Sequence, residues 1–449
     1  MALLVKDKVF PTIARMAVPM LAGTFALNAY NLADTWFVSR LGTSALAAMS
    51  FTFPVVMLLG FIMRGLGTGA MTVVAHALGR GKKKTAARIT THAVFLASTV
   101  ALCLTAAGLL SIRPLFSRLG ATGEVLEFVG QYMWIWYCGL IPRILQIMFS
   151  DIIISTGKMR TVSFLMVAGT VCNCILDPVM IFGLGGFPRM GMQGAALATV
   201  ISEMLVMSGA FYFIHKRYRL ILFAAHTRQR VAASWRKILH IGIPSMLSSI
   251  LTPLSAAVVI SIIADFGQSA VAAIGVAGRI EMFAFMVPMT VGMSLVPFVA
   301  QNYGAGRFDR IIAARRGTMS FALGFGLVIA VVFLVIARPL GRLFSPDPAV
   351  VDVLVQYIRV TCLGYGFLEV HRYATFLMTG IHKPVASAIL TAIRVVALLI
   401  PLVLLGARVF GITGVFWGRL ATDIAAAAIG IVWTGRVLKK EYALTSVKG

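Results

Sequence analysis

The octapeptide Leu41-Gly42-Thr43-Ser44-Ala45-Leu46-Ala47-Ala48 returns 225 residues later as Phe266-Gly267-Gln268-Ser269-Ala270-Val271-Ala272-Ala273. The same offset links Ala17-Val18-Pro19 to Gly242-Ile243-Pro244, Gly79 and Gly81 to Gly304 and Gly306, and Gln131-Tyr132 to Gln356-Tyr357. Further on it drifts to 223 for Pro178 with Pro401, and to 220 for Gly191 and Gly194 with Gly411 and Gly414, as loop deletions would cause. Four matches at one ungapped offset mark an internal repeat.

Between these landmarks the chain is apolar. Runs fall near 11–37, 46–72, 90–112, 128–150, 161–184, 191–214, 240–264, 272–300, 316–338, 351–377, 386–407 and 411–435. Of 449 residues, 59% are hydrophobic, and the mean hydropathy is +0.92. Twelve membrane helices at about 20 residues each need roughly 240 apolar residues, and the composition supplies that many. Only 12% of residues are charged, against about 25% in soluble domains. A soluble enzyme, a disordered chain and a secreted disulfide scaffold are excluded. The runs are too long, and alternate too little, for the strands of a membrane β-barrel. The five cysteines, Cys103, Cys138, Cys172, Cys174 and Cys362, form no disulfide framework or metal knuckle. Lys6, Lys8 and Arg15 precede the first run without a clear small-residue cleavage site, so that run reads as a retained helix.

The net charge of +25 is distributed as a topology signal, and no nucleic-acid partner is expected. The N-terminus, every second loop and the C-terminus carry 26 of the 40 lysines and arginines, the remaining loops 7, and the spans 7. Both termini are therefore expected in the cytoplasm. Six spans per half is an even number, so the halves enter from the same side as parallel repeats. The expected fold is an all-α polytopic membrane protein of twelve transmembrane helices in two six-helix lobes, 1–225 and 226–449. The basic stretch near 215–239 links them. Two such lobes with a cavity between them make a transporter architecture.

The repeat also serves as a control. Positions polar in both halves read as fold, and positions polar in one half read as function. Asp34 aligns with Val259, and Asp177 with Ile400. An ionised Asp within the membrane costs at least about 2.5–3.5 kcal/mol on insertion scales, so such groups are kept where they are paired, hydrated or used. In the expected topology Asp34, Asp177 and Thr199 all lie toward the outer side. Asn173 is one turn before Asp177, and Ala195 one turn before Thr199, where local distortion would free its carbonyl. These oxygens suit a small cation. Two carboxylates close together in low dielectric also resist double ionisation, so one of them can carry a proton. Glu203 and Asp423 occupy equivalent positions and read as fold. Arg279 with Glu281 and Arg419 with Asp423 read as structural pairs. Glu369 and His371 are weaker proton-relay candidates. Trp134 and Trp136 read as membrane-interface residues.

Several stretches resemble the multidrug and toxic compound extrusion (MATE) transporters. They are Gln301-Asn302-Tyr303-Gly304-Ala305-Gly306, Leu176-Asp177-Pro178, the run Gly191 to Thr199, and Asn31-Leu32-Ala33-Asp34-Thr35. The resemblance covers nearly the whole chain. It implies antiport, in which a proton or sodium ion entering from outside drives an organic solute outward. It places the cation on Asp34, Asn173, Asp177 and Thr199, with the Ala195 carbonyl added from the residue reading. Pro19 matches a proline linked in the family to bending of the first helix. Tyr30, Asn31 and Tyr137 are the candidate cavity residues. The segment around Pro244 lacks the span 7 acid of one branch, so the sequence looks more like the DinF-type branch.

The expectation is thus a monomeric inner-membrane antiporter for organic, often cationic, drugs or metabolites. Its coupling ion is H+ or Na+, no other cofactor is needed, and its partners are the solute and the lipid bilayer. A lipid-linked-precursor flippase is the alternative; it would need the arginines at 64, 279, 359 and 394 in its cavity. No hydrolase or nucleotide-binding motif is present, so no enzyme is expected.

Overall fold

A membrane-spanning backbone must satisfy its own hydrogen bonds, and this chain does so with helices. The computed structural model describes residues 3–222 and 227–446. The expected lobe boundary between 225 and 226, and part of the basic linker, lie outside the described residues.

The chain forms two compact units. One is Val18–Ile243, and the other joins Ala2–Ala17 to Pro244–Gly449. Helix α1 (Val9–Ser39) therefore starts in the second unit and ends in the first, while α8 (Arg228–Ala264) does the reverse. Both crossings fall beside repeat-equivalent prolines, Pro19 and Pro244.

The first unit continues through α2 (Thr43–Gly79), α3 (Lys83–Arg118), α4 (Gly123–Cys138), α5 (Leu140–Ser155), α6 (Met159–Phe182) and α7 (Met192–Tyr212). The second contains α9 (Gln268–Ala284), α10 (Met286–Gly304), α11 (Phe308–Phe344), α12 (Pro348–Thr361), α13 (Tyr365–Gly380), α14 (Pro384–Ala392) and α15 (Ile400–Ser446), with a π-helical segment Ile393–Leu399 joining the last two. The starts of α2, α3, α4, α5 and α6 are each followed 225 residues later by the starts of α9, α11, α12, α13 and α14. The repeat read from residues is thus a repeat of elements. In the second unit the counterpart of α2 is broken into α9 and α10, at Phe285.

Among the described residues, nine helices are long and apolar enough to cross a membrane. Up to eleven segments qualify if the bent pairs α4–α5 (51°) and α9–α10 (54°) each count once. The last of the nine, Pro384–Ala443, runs for 60 residues and covers both expected spans 386–407 and 411–435. Gly411 interrupts it with φ 60° and ψ −146°, close to the φ 54° and ψ −126° of its repeat partner Gly191. Side chains rarely adopt that backbone region, and glycine enters it without a Cβ clash. The chain turns back there: a Cβ on Gly406 would overlap the Gly414 carbonyl oxygen and one on Gly418 would lie 2.5 Å from that of Leu402, so the stretches on either side of Gly411 pack antiparallel, as the chain does on either side of Gly191.

One face of α11 is exposed and aliphatic, as a helix surface facing lipid would be. Leu323, Leu327, Val328, Val331, Val332, Leu334 and Val335 are all exposed, and all aliphatic. The opposite face packs closely enough on α13 that a Cβ on Gly326 would overlap the backbone of Gly366.

Candidate cation site and the charged networks

Helices α6 and α7 form a tight antiparallel hairpin. A Cβ on Gly169 would strike Val206, one on Gly209 would meet Leu165, and one on Gly194 would lie 2.5 Å from the Met180 carbonyl oxygen. Met190 N–H donates to Met180 O at 3.0 Å and Gly191 N–H to Ile181 O at 3.2 Å, which closes the end. This register sets Asp177 beside the first turns of α7, near Thr199.

Helix α1 runs parallel to α6. The Ser163 hydroxyl donates to the Pro19 carbonyl, Gly23 approaches Met166, and the Phe37 and Phe182 rings lie 6.4 Å apart. Residues near 143–145 apart are therefore level, which places Asp34 level with Asp177 and Tyr30 level with Asn173. The charges of Asp34 and Asp177 are close enough to interact.

Asp34 is 8% exposed, Asp177 0%, Asn173 1% and Thr199 2%. Asn173 Nδ2 donates to Asp177 Oδ1 at 3.3 Å. The Thr199 hydroxyl donates to the Ala195 carbonyl at 3.1 Å and shares a 3.1 Å hydrogen bond with the Tyr30 hydroxyl. Three buried oxygens are left without a hydrogen-bond partner: Asp34 Oδ1, Asn173 Oδ1 and Asp177 Oδ2. Buried acceptors in this state are costly, and a proton or small cation satisfies them. The donor set is hard oxygen, as a sodium ion prefers. Among the described residues no group of three or more His, Cys, Asp or Glu is placed to hold a metal ion.

Not every residue singled out in the sequence lies here. Asn31 is exposed, its amide donating to Leu27 O. Tyr137 differs from its expected place at a cavity. Its ring is buried at 3% exposure, in the slot left by the missing side chain of Gly108, and meets Trp136 edge-on. A ring so enclosed packs helices together. Trp136, expected at the membrane interface, is likewise buried at 2%, whereas Trp134 is exposed at 59%.

Two expected ion pairs are replaced by others. Arg419 pairs with Glu281 at 2.9 Å, not with Asp423, and Arg394 pairs with Asp423 at 2.7 Å. Arg279 is left exposed. Neighbours along a helix were the wrong guide, because each pair forms between helices. Glu281 also accepts from the Tyr357 and Tyr365 hydroxyls, at 2.7 and 3.0 Å. Glu369 is buried and paired with Arg372 at 2.6 Å.

Of two further acidic positions in the first unit, Glu203 reads from the sequence as serving the fold and Asp151 is passed over there. Glu203 binds Arg143 at 3.0 Å, one turn along α7 from Thr199. Asp151 sits against the notch at Gly67, as the Phe376 ring sits against Gly292 at the equivalent contact. Its Asp-to-Phe difference across the repeat was a readable signal.

The MatE family profile matches residues 19–179 and again 244–405. The chain belongs to the MATE family. The two matches start at Pro19 and Pro244, so each covers one repeat. Over 416 residues the chain is 36% identical to a FAD transporter of Shewanella oneidensis, covering 93% of this chain and 91% of that one. It is 27% identical over 438 residues to the multidrug export protein MepA of Staphylococcus aureus, covering 95% and 94%. The Vibrio cholerae MATE transporter VcmN in its bent form superposes with a TM-score of 0.91, at 28% identity, over 96% of this chain and 97% of that one. As a MATE protein the chain is a multi-span membrane transporter and not an enzyme.

Proposed function

We propose that the chain is an antiporter that exports organic solutes in exchange for H+ or Na+, with the cation held by Asp34, Asn173, Asp177, Thr199 and the Ala195 carbonyl. The observation that carries this reading is the meeting of three unpartnered buried oxygens, on Asp34, Asn173 and Asp177, beside the Tyr30–Thr199 hydrogen bond. Twelve spans, cytoplasmic termini, a monomeric state and an inner-membrane location complete it, in the DinF-like branch. The lobes alternate in access, and Pro19 is a hinge at which α1 bends as the site fills. Tyr30, with Asn31 on the exposed side of α1, borders the solute path.

Exchange of one proton for one monovalent organic cation moves no net charge, so a pH gradient alone drives it at about 1.4 kcal/mol per unit. Export of a neutral solute also draws on the potential, at about 2.3 kcal/mol per 100 mV. The FAD transporter relative adds an anionic aromatic dinucleotide to the solutes worth testing.

The test uses everted vesicles energised by respiration, with a fluorescent cationic dye and with FAD as solutes. Sodium pulses and collapse of the pH gradient are applied separately to the wild type, Asp34→Asn and Asp177→Asn. Gradient-driven transport that both substitutions abolish, at unchanged protein level, supports the site, and the effective gradient names the ion. Transport that survives both substitutions refutes it.

A further inference from the structure

Among the described residues, Arg143 is the arginine whose charge acts on Asp34. Its guanidinium sits on Glu203 at 3.0 Å and over the Trp136 ring at 5.0 Å, with 23% of the side chain exposed. The path from this pair to the site is short. Glu203 lies one helical turn from Thr199 on α7, Thr199 bonds Tyr30, and Tyr30 lies one turn before Asp34 on α1. Charge interaction links Arg143 to Asp34 as well as to Glu203. Glu203 Oε2 and Asp34 Oδ1 are both buried without a hydrogen-bond partner. One guanidinium is thus paired with one carboxylate and interacts by charge with a second, and each carboxylate has an oxygen without a hydrogen-bond partner.

The repeat shows that this placement is not required by the fold. The acid equivalent to Glu203 is Asp423, and its arginine is Arg394, from the segment that follows α14. Arg143 instead comes from α5, where its counterpart in α13, 225 residues on, is Leu368. The second unit neutralises the same acid from another direction.

We propose that Arg143 is a tethered counter-cation of the ion site, held by Glu203 while the coupling cation occupies Asp34 and Asp177, and shared with Asp34 when that cation leaves. This rests on the cation-site reading given above. An empty site with two bare carboxylates in the membrane is costly, and a guanidinium already within range lowers that cost. Arg143 then competes with the incoming ion, and Glu203 sets how strongly it competes. The two residues act on ion affinity with opposite signs, and Glu203 acts through Arg143, whereas in a static ion pair each charge acts by itself.

The experiment reads cation binding directly, in purified protein in nanodiscs, by the tryptophan fluorescence change on adding Na+ at fixed pH and on acid titration without Na+. Trp136 against the guanidinium makes the signal sensitive to Arg143. At an effective dielectric near 20, a unit charge some 10 Å away changes affinity by about tenfold. R143Q is expected to lower the half-saturating cation concentration by about tenfold, and E203Q to raise it by about tenfold. R143K stays within about twofold of the wild type, and the R143Q/E203Q double variant behaves like R143Q, because Glu203 acts through Arg143. If R143Q does not reach the membrane, an E203Q shift that is absent or lowers the half-saturating concentration overturns the proposal. Shifts of the same sign, no shifts, or a double variant equal to the sum of the single ones also overturn it. If D34N and D177N leave the cation response intact, the site reading itself has failed, and that outcome is distinct.

Discussion

Replacing Gly194 by Ala tests whether the α6–α7 hairpin positions the cation site. A Cβ at 194 would lie 2.5 Å from Met180 O, 2.6 Å from its carbonyl carbon and 2.9 Å from the Ile181 nitrogen. All three are backbone atoms, so no rotamer change relieves the contact. Reaching ordinary van der Waals separation requires about 0.9 Å of movement between the two helices. Overpacking of this kind costs typically about 1–3 kcal/mol. A site tolerates roughly 0.5 Å of displacement before its geometry degrades, and the opening lies within one turn of Asp177. Gly194→Ala should therefore lower the thermal midpoint and weaken cation binding by tenfold or more. Gly209→Ala is the matched control on the same interface, because its Cβ would meet the flexible Leu165 Cδ2 at 2.7 Å, which a rotamer change relieves. Thermal unfolding in detergent and the fluorescence titration check both. Equal behaviour of the two variants would refute the claim that the backbone approach at Gly194 holds the site.

Three more predictions follow from particular contacts. Glu281→Gln should destabilise the second unit by about 3–5 kcal/mol, since it strips Arg419 of its charge partner in a largely buried place; Asp352→Asn, which breaks the exposed Arg338–Asp352 pair, should change the thermal midpoint little. Arg310→Ala should free the N-terminal segment, because Arg310 donates to the carbonyls of Leu4 and Asp7 and to Asn302; trypsin cleavage after Lys6 and Lys8, followed by mass spectrometry, should become faster, and an unchanged rate would count against this anchor. Asp151→Asn should reduce the transport rate while leaving the half-saturating cation concentration unchanged, if this first-unit acid serves ion passage and not ion binding; an undiminished rate removes it from the path.

Periodicity and composition made the helical fold legible, because apolar length and glycine turns are local properties. The 225-residue offset survived into the start of five helices. What it hid was the break of one apolar run into α9 and α10 at Phe285. Gly411 turns the chain as its repeat partner Gly191 does, with Gly406 and Gly414 meeting backbone to backbone across the turn. At the site, Asp34 and Asp177 were visible as charges without counterparts. Tyr137 was not separable from a cavity residue, because burial depends on Gly108, 29 positions earlier in the chain. Ion-pair partners were misassigned for the same reason: Glu281 has an arginine two residues away, but the guanidinium that reaches it comes from α15. The QNYGAG motif was legible as family resemblance only. The structure gives Asn302 a task, holding the Leu4 carbonyl at 3.1 Å together with Arg310.

The two units solve the same electrostatic problem in opposite ways, and the contrast argues for where coupling occurs. In the second unit Glu281, Glu369 and Asp423 each hold an arginine within 2.6–2.9 Å. A cation entering there must displace a guanidinium tethered in place, at the cost of leaving it unpaired in low dielectric. In the first unit only Glu203 is neutralised this way, and Asp34 and Asp177 have no ion-pair partner among the described residues. On the proposed reading a cation there meets acceptor oxygens without hydrogen-bond partners and displaces nothing, unless Arg143 has moved to Asp34. Binding strong enough to enter and weak enough to leave requires such a balance. Removing the arginine from Asp423, as in Arg394→Gln, therefore should not create a second coupling site of equal quality. It leaves one buried acid without the amide, hydroxyl and second carboxylate that surround Asp177, and sodium titration of that variant should still report the single D34N-sensitive transition.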